Sequence, residues 1–286
     1  MTKCSRSAKY CPPLTITLLF FAFISSPNLA SSNYYLKSEH SISIEKEIEQ
    51  YLDLFDSLVL PENNYTRGLS WNYSEYILGL GYIYEYFNDQ DVLARMVRGS
   101  DYLISRRNDY YDKLILYVDD QMLPVWPAFE DRWKLNNKAV AFTNHLMTAN
   151  IMQPIAMTAL FLSQSGNRAH QEKARYYIRQ LEQTLDKFSF SELWFDKQKN
   201  LFIHANTSKL SEIKEVPSYQ VGEPVSFNRI LMMSSVLYLI LKTKEILNLQ
   251  KNNEKYKTTV SNSINYFKQN VQNIASGTML AAVPAL

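Results

Sequence analysis

Between residues 119 and 133 the chain sets carboxylates beside indole rings: Asp119, Asp120, Trp126, Glu130, Arg132 and Trp133 fall within one short stretch. Glycosidic chemistry needs that combination, because one carboxyl protonates the bridging oxygen while another activates water or attacks the sugar. An apolar neighbour such as Trp126 raises a carboxyl pKa towards the acid role. Asp119, Asp120 and Glu130 are therefore the candidate acids and bases, although acidic residues in a connection also serve as turn formers and helix caps. Elimination or epimerisation at a uronate calls on other groups: a Tyr or His removes the proton and an Arg or Asn neutralises the carboxylate. For that chemistry His145, Tyr219, Arg132 and Arg229 are the candidates.

Other chemistries find little footing. The four histidines are widely spaced, with no His-x-x-x-His or Glu-x-x-His pair to bind a metal. No Gly-x-Gly-x-x-Gly or Walker-type loop is present, so no nucleotide cofactor is expected, and a serine triad lacks its Gly-x-Ser-x-Gly elbow. Sequons occur at Asn64, Asn72 and Asn206.

The N-terminus places Lys3, Arg6 and Lys9 before an apolar stretch at 14–24 and then small and polar residues ending at Ala30. That order is a secretory signal peptide over 1–30, too short in its apolar part to anchor the protein in a membrane as a helix. Both cysteines, Cys4 and Cys11, precede the apolar stretch, so the exported form carries no thiol and no disulfide. The formal charge of +2 includes the three basic residues of the leader. Without them the chain is near neutral, which argues against a nucleic-acid partner.

The elements that must position these residues are helical. Only 7 glycines in 286 residues disfavour a turn-rich β fold. Apolar residues recur every three to four positions, predicting about seven helices over 42–58, 73–87, 91–107, 143–163, 168–188, 227–247 and 254–271. Pro154 should kink the fourth, and Arg106 and Arg107 suit the C-terminal end of the third. Two irregular connections interrupt the pattern, 110–133 and 194–224; the alternation at Leu201 and Ile203 predicts a hairpin in the second. One domain is expected over 31–275, followed by an irregular tail over 276–286. The fold class is all-α, with antiparallel helix hairpins and minor β structure in the connections. The 20 tyrosines serve either to pack helices or to stack on sugars.

Three stretches starting near Trp71, Phe142 and Glu223 share one layout, an apolar helix followed by a short break and an amphipathic partner, and such repeats stack side by side. With Trp71-Asn-Tyr-Ser-Glu75-Tyr76, the Asp-Tyr-Leu at 101–103, Asn144-His145 leading to Gln153-Pro154-Ile155, and Glu223-Pro224-x-x-x-Asn228, the chain resembles the six-hairpin glycosidase superfamily. That group of (α/α) toroids includes glycoside hydrolases, polysaccharide lyases and uronate C5-epimerases. Seven helices fall short of a six-hairpin ring, so a partial or open toroid is expected.

The resemblance implies a substrate groove at the loops preceding the inner helices. It points to Trp71, Tyr73, Glu75, His145, Glu223 and Asn228, to which the candidates for glycan chemistry add Trp126, Arg132, Tyr219 and Arg229. A polysaccharide or oligosaccharide is the partner it implies. The other reading is a shortened, non-catalytic helical array that binds a glycan or a protein.

Overall fold

The computed structural model describes residues 38–129, 133–213 and 221–275, the side chains of 38–43 and 272–275 excepted. The proposed leader, Glu130, Arg132, Tyr219 and the tail at 276–286 lie outside the described residues. The backbone divides into two compact units, 1–49 and 50–286, a boundary that falls within the first helix. The apolar core and every later helix belong to the second unit.

The all-α expectation is borne out, with 62% helix and 6% strand. Seven long helices form: α1 (Ser38–Ser57), α2 (Ser74–Phe87), α3 (Gln90–Ser105), α4 (His145–Gln164), α5 (Arg168–Thr184), α7 (Phe227–Ile246) and α8 (Asn253–Ala275). A single turn, α6 (Lys209–Glu212), was not signalled by periodicity, being too short to show one. π-helical turns precede α2 (Leu69–Tyr73) and extend α5 (Leu185–Ser189). Pro154 lies inside α4, which runs on through it.

Asparagine makes the reversals. α2 stops where Asn88 turns left-handed (φ 54°), and α3 starts where the Asp89 carboxylate accepts the Asp91 N–H. Asn tolerates that conformation because its short amide bonds locally. Asn136, Asn137, Asn200, Asn248 and Asn252 also have positive φ, whereas Gly222 is the single such glycine among the described residues. The scarcity of glycine thus reflects asparagine in its place as well as helix content.

Within each hairpin the helices are antiparallel: Gly99 faces Ile77 and Tyr73 meets Tyr102 across α2 and α3, while Phe227 meets Phe267 and Lys244 covers Tyr256 across α7 and α8. From hairpin to hairpin the leading helices are parallel. Gly81 faces Met157 and Tyr84 packs on Phe161 between α2 and α4, and Gln153 reaches Ser235 between α4 and α7. A Cβ on Gly81 would stand 2.6 Å from the Met157 sulfur and one on Gly99 2.7 Å from Ile77, so both glycines set how closely these helices approach.

α4 is the centre of the packing, against α2, α3, α5 and α7. Sixteen of its residues are buried. It is long and apolar enough to cross a membrane, but here those qualities match a helix enclosed by protein, 83% of its apolar window being buried.

Two buried cations tie the trailing helices in. Arg107, read from sequence as complementing a helix end, is 0% exposed and spans Asp109 (2.7 Å), the Gln180 carbonyl (2.7 Å) and its side chain (2.8 Å), joining the end of α3 to α5. Lys244 in α7 pairs with Glu182 in α5 and donates to the Lys251 carbonyl.

Candidate functional site

Parallel leading helices put their preceding connections at one end. Connection 106–144 carries the hairpin of β1 (Lys134–Leu135) and β2 (Lys138–Ala139), and connection 190–226 carries the expected hairpin as β3 (Phe195–Asp196) and β4 (Leu201–Phe202). The two connections share an apolar cluster that includes Val118, Trp133, Phe142, Phe188 and Trp194. Polar contacts join them as well. The Trp194 indole N–H donates to Asp119 Oδ1 (2.7 Å), Tyr117 donates to Glu212 (2.7 Å), and Lys209 pairs with Asp120.

Asp119 is half-buried, and its carboxyl is pushed up to about 6. Burial is the main cause; the Asp120 charge adds to it and the Trp194 hydrogen bond works against it. Such a carboxyl is partly protonated near neutrality, the condition for giving and taking a proton.

His145 opens α4 directly after the Asn144 cap, whose Oδ1 accepts the Met147 N–H. It is 0% exposed, in a cage of Phe188, Trp194 and Phe202 with ring centroids 5.2, 5.6 and 5.0 Å away. Neither ring nitrogen makes a hydrogen bond of ordinary geometry. The Ser189 backbone does favour the charged form, but burial, then His204 and Arg229, drive the pKa down to about 3. His204 is lowered to about 4 by burial and by Arg229. Its backbone N–H bonds the Glu223 carbonyl at 2.8 Å, beside the Ile203–Pro224 bridge. Both imidazoles are neutral at pH 7, and His145 has no surface on which a polymer could land.

The other sequence candidates are dispersed. Trp126 is a core strut and offers no face to a sugar: it is 1% exposed, its indole N–H on the Leu103 carbonyl (2.6 Å) and its own carbonyl accepting from Asn64 (2.9 Å). The same bond buries Asn64, so the first sequon is closed to modification, whereas Asn72 and Asn206 are exposed. Asp120 is exposed with φ 55°. Trp71, Tyr73 and Glu75 form a separate group at the start of α2. Trp71 is half-buried, Glu75 is exposed, and Tyr73 is buried against Phe55, its phenol pushed up to about 12 chiefly by burial. Glu223 and Asn228 are exposed near half-buried Arg229, whose backbone N–H bonds Asn228 Oδ1 at 3.0 Å.

The structure therefore gathers Asp119, His145 and Arg229 around Trp194 and His204, which the sequence did not single out. The alternation at Leu201 and Ile203 was the available signal, since folding that hairpin brings Trp194 and His204 to one place. Among the described residues no three His, Cys, Asp or Glu side chains converge as a metal would require. Comparison with protein-family models, curated proteins and solved structures returned no significant match.

Proposed function

We propose that this chain is an exported carbohydrate-active protein of the (α/α) hairpin type. It engages a polysaccharide at the end where the connections enter α4 and α7, and acts by hydrolysis, elimination or C5 epimerisation. The observation that carries the reading is Asp119, a partly accessible carboxyl raised to about 6 and oriented by the Trp194 N–H. Asp119 transfers the proton, and the exposed Glu223 and Asn228 beside Arg229 bind hydroxyl and carboxylate groups of the glycan.

A second reading has its own support: with His145 sealed and Trp126 in the core, the array is a shortened, non-catalytic binder of a glycan or a protein. One experiment separates the two. The purified protein is assayed against neutral and uronic-acid polysaccharides for reducing ends, unsaturated uronates and exchange of the C5 proton. Turnover with an acid limb near pH 6, lost in Asp119→Asn, supports the enzyme; binding without turnover supports the binder. Absence of both refutes the glycan reading.

A further inference from the structure

The layer formed by α2, α4 and α7 has one face left open among the described residues. α4 is flanked by its two parallel neighbours and backed by α3 and α5. It stays open along a single row, Leu146, Gln153 and Leu160, seven apart and half-buried, which ends at exposed Gln164. The flanking helices continue that face. Gln153 reaches Ser235 of α7, which shares a helix row with exposed Leu231, Tyr238 and Lys242. Met157 lies against Gly81 of α2, and one step round that helix stand half-buried Leu78 and exposed Tyr82 and Glu85.

The composition of this face is not that of an ordinary outer surface. α4 contains no Asp, Glu, Lys or Arg, while Tyr238 is 53%, Tyr82 41% and Leu231 36% exposed. The trailing helices carry charge outwards, as at Arg168, Glu172 and Arg179 of α5. A contiguous apolar and aromatic patch with charge at its rim marks an association surface. Its size suits one. α4 and α7 are each 20 residues long, so the face runs about 30 Å along the helices. Neighbouring axes stand about 8–10 Å apart, which gives about 600 Å² on each copy, at the lower end of what stable pairs bury.

We propose that this face binds a second copy of the chain across a two-fold axis running along α4, so that α2 of each copy lies on α7 of the other. Charge selects that pairing. Gly81 is level with Met157, and Gln153 with Ser235; counted along the helices from those contacts, Glu85 stands one residue from the level of Lys242. Each Glu85 therefore meets Lys242 of the other copy. Within its own chain Lys242 makes an exposed contact to Glu245 (3.2 Å), and an ammonium has donors for a second carboxylate. Turning the second copy end for end would lay α2 on α2 and bring Glu75 close to Glu85, a like-charge contact. The chosen pairing also sets Tyr82 near Tyr238 of the other copy and the row Leu146, Gln153, Leu160 against itself, with the seven-residue spacing of paired parallel helices. Both sets of connections then lie at one end of the dimer. None of this depends on Asp119, so the pairing stands or falls apart from the proposed glycan activity.

The test is sedimentation velocity of the purified protein at about 1–200 µM, which spans the affinity expected of a face this size. The parent chain shifts from monomer to dimer across that range. Glu85→Lys and Lys242→Glu, both at exposed positions, each create two like-charge contacts in a homodimer and weaken it by about tenfold or more. An equimolar mixture of the two variants recovers parental association, because one copy then supplies both bases and the other both acids. Circular dichroism melts confirm that each variant is folded. A monomer at every concentration, a dimer unmoved by either variant, or a mixture no tighter than the variants alone overturns the proposal.

Discussion

Replacing His145 with phenylalanine should remove much of the protein's sensitivity to acid. The imidazole has a folded pKa of about 3 against an unfolded value of about 6.5. Above pH 6.5 both states are neutral there and His145 contributes no pH dependence. Below it the unfolded chain takes up a proton that the folded chain refuses, so stability falls as pH drops from 6.5 towards 3. Each pH unit in that window costs about 1.4 kcal/mol, which amounts to about 2 kcal/mol between pH 7.5 and pH 5 for this group. His204, lowered to about 4, acts in the same direction. Asp119, raised to about 6, acts in the other, since below that pH the folded state binds its proton first. Both persist in the variant, as does Arg229, so the difference in pH dependence isolates His145. Urea unfolding at pH 7.5 and pH 5 measures it; repacking the cage adds a cost common to both pH values. The variant should lose about 2 kcal/mol less than the parent on acidification. Equal losses would mean that His145 is not neutral and desolvated in the native state, and the reasoning would fail.

Other outcomes follow from the same geometry. Trp194→Phe deletes the indole N–H that favours ionised Asp119, so the Asp119 carboxyl should titrate above its parent value in an NMR pH series. Lys244→Met leaves half-buried Glu182 without its cation and should cost about 3 kcal/mol by denaturant unfolding, the low end for a buried pair, whereas adding Glu182→Leu should recover much of that loss.

Period and punctuation made the helices legible. The gaps expected after 87 and after 163 coincide with real reversals, at Asn88-Asp89 and at Ser165-Gly166-Asn167, and the expected ends of α2, α4 and α7 lie within two residues of those found. What sequence could not supply was depth. Trp126 and Trp133 look open to a ligand beside their acids, yet both are buried, while Asp119 and Asp120 look alike and neighbours far along the chain decide which is half-buried and perturbed and which is exposed. Trp194, 75 residues beyond Asp119, sets the environment of that carboxyl. His145 stood out as a polar residue at a helix start, yet its cage comes from Phe188, in the π-helical extension of α5, and from Trp194 and Phe202 beyond it. Arg107 was legible as a cation near a helix end, and its partner Gln180 lies 73 positions away.

The common direction of α2, α4 and α7 also has an electrostatic consequence. Peptide dipoles point along each helix, leaving partial positive charge at its start, and here three starts lie at the same end of the unit. Their fields add at the connections, where Arg229 supplies a full charge. That contribution disfavours a proton and favours an anion at these connections, and it is opposed there by the carboxylates of Asp119, Asp120, Glu212 and Glu223. The backbone share of this field does not titrate, so it persists at every pH at which the helices do.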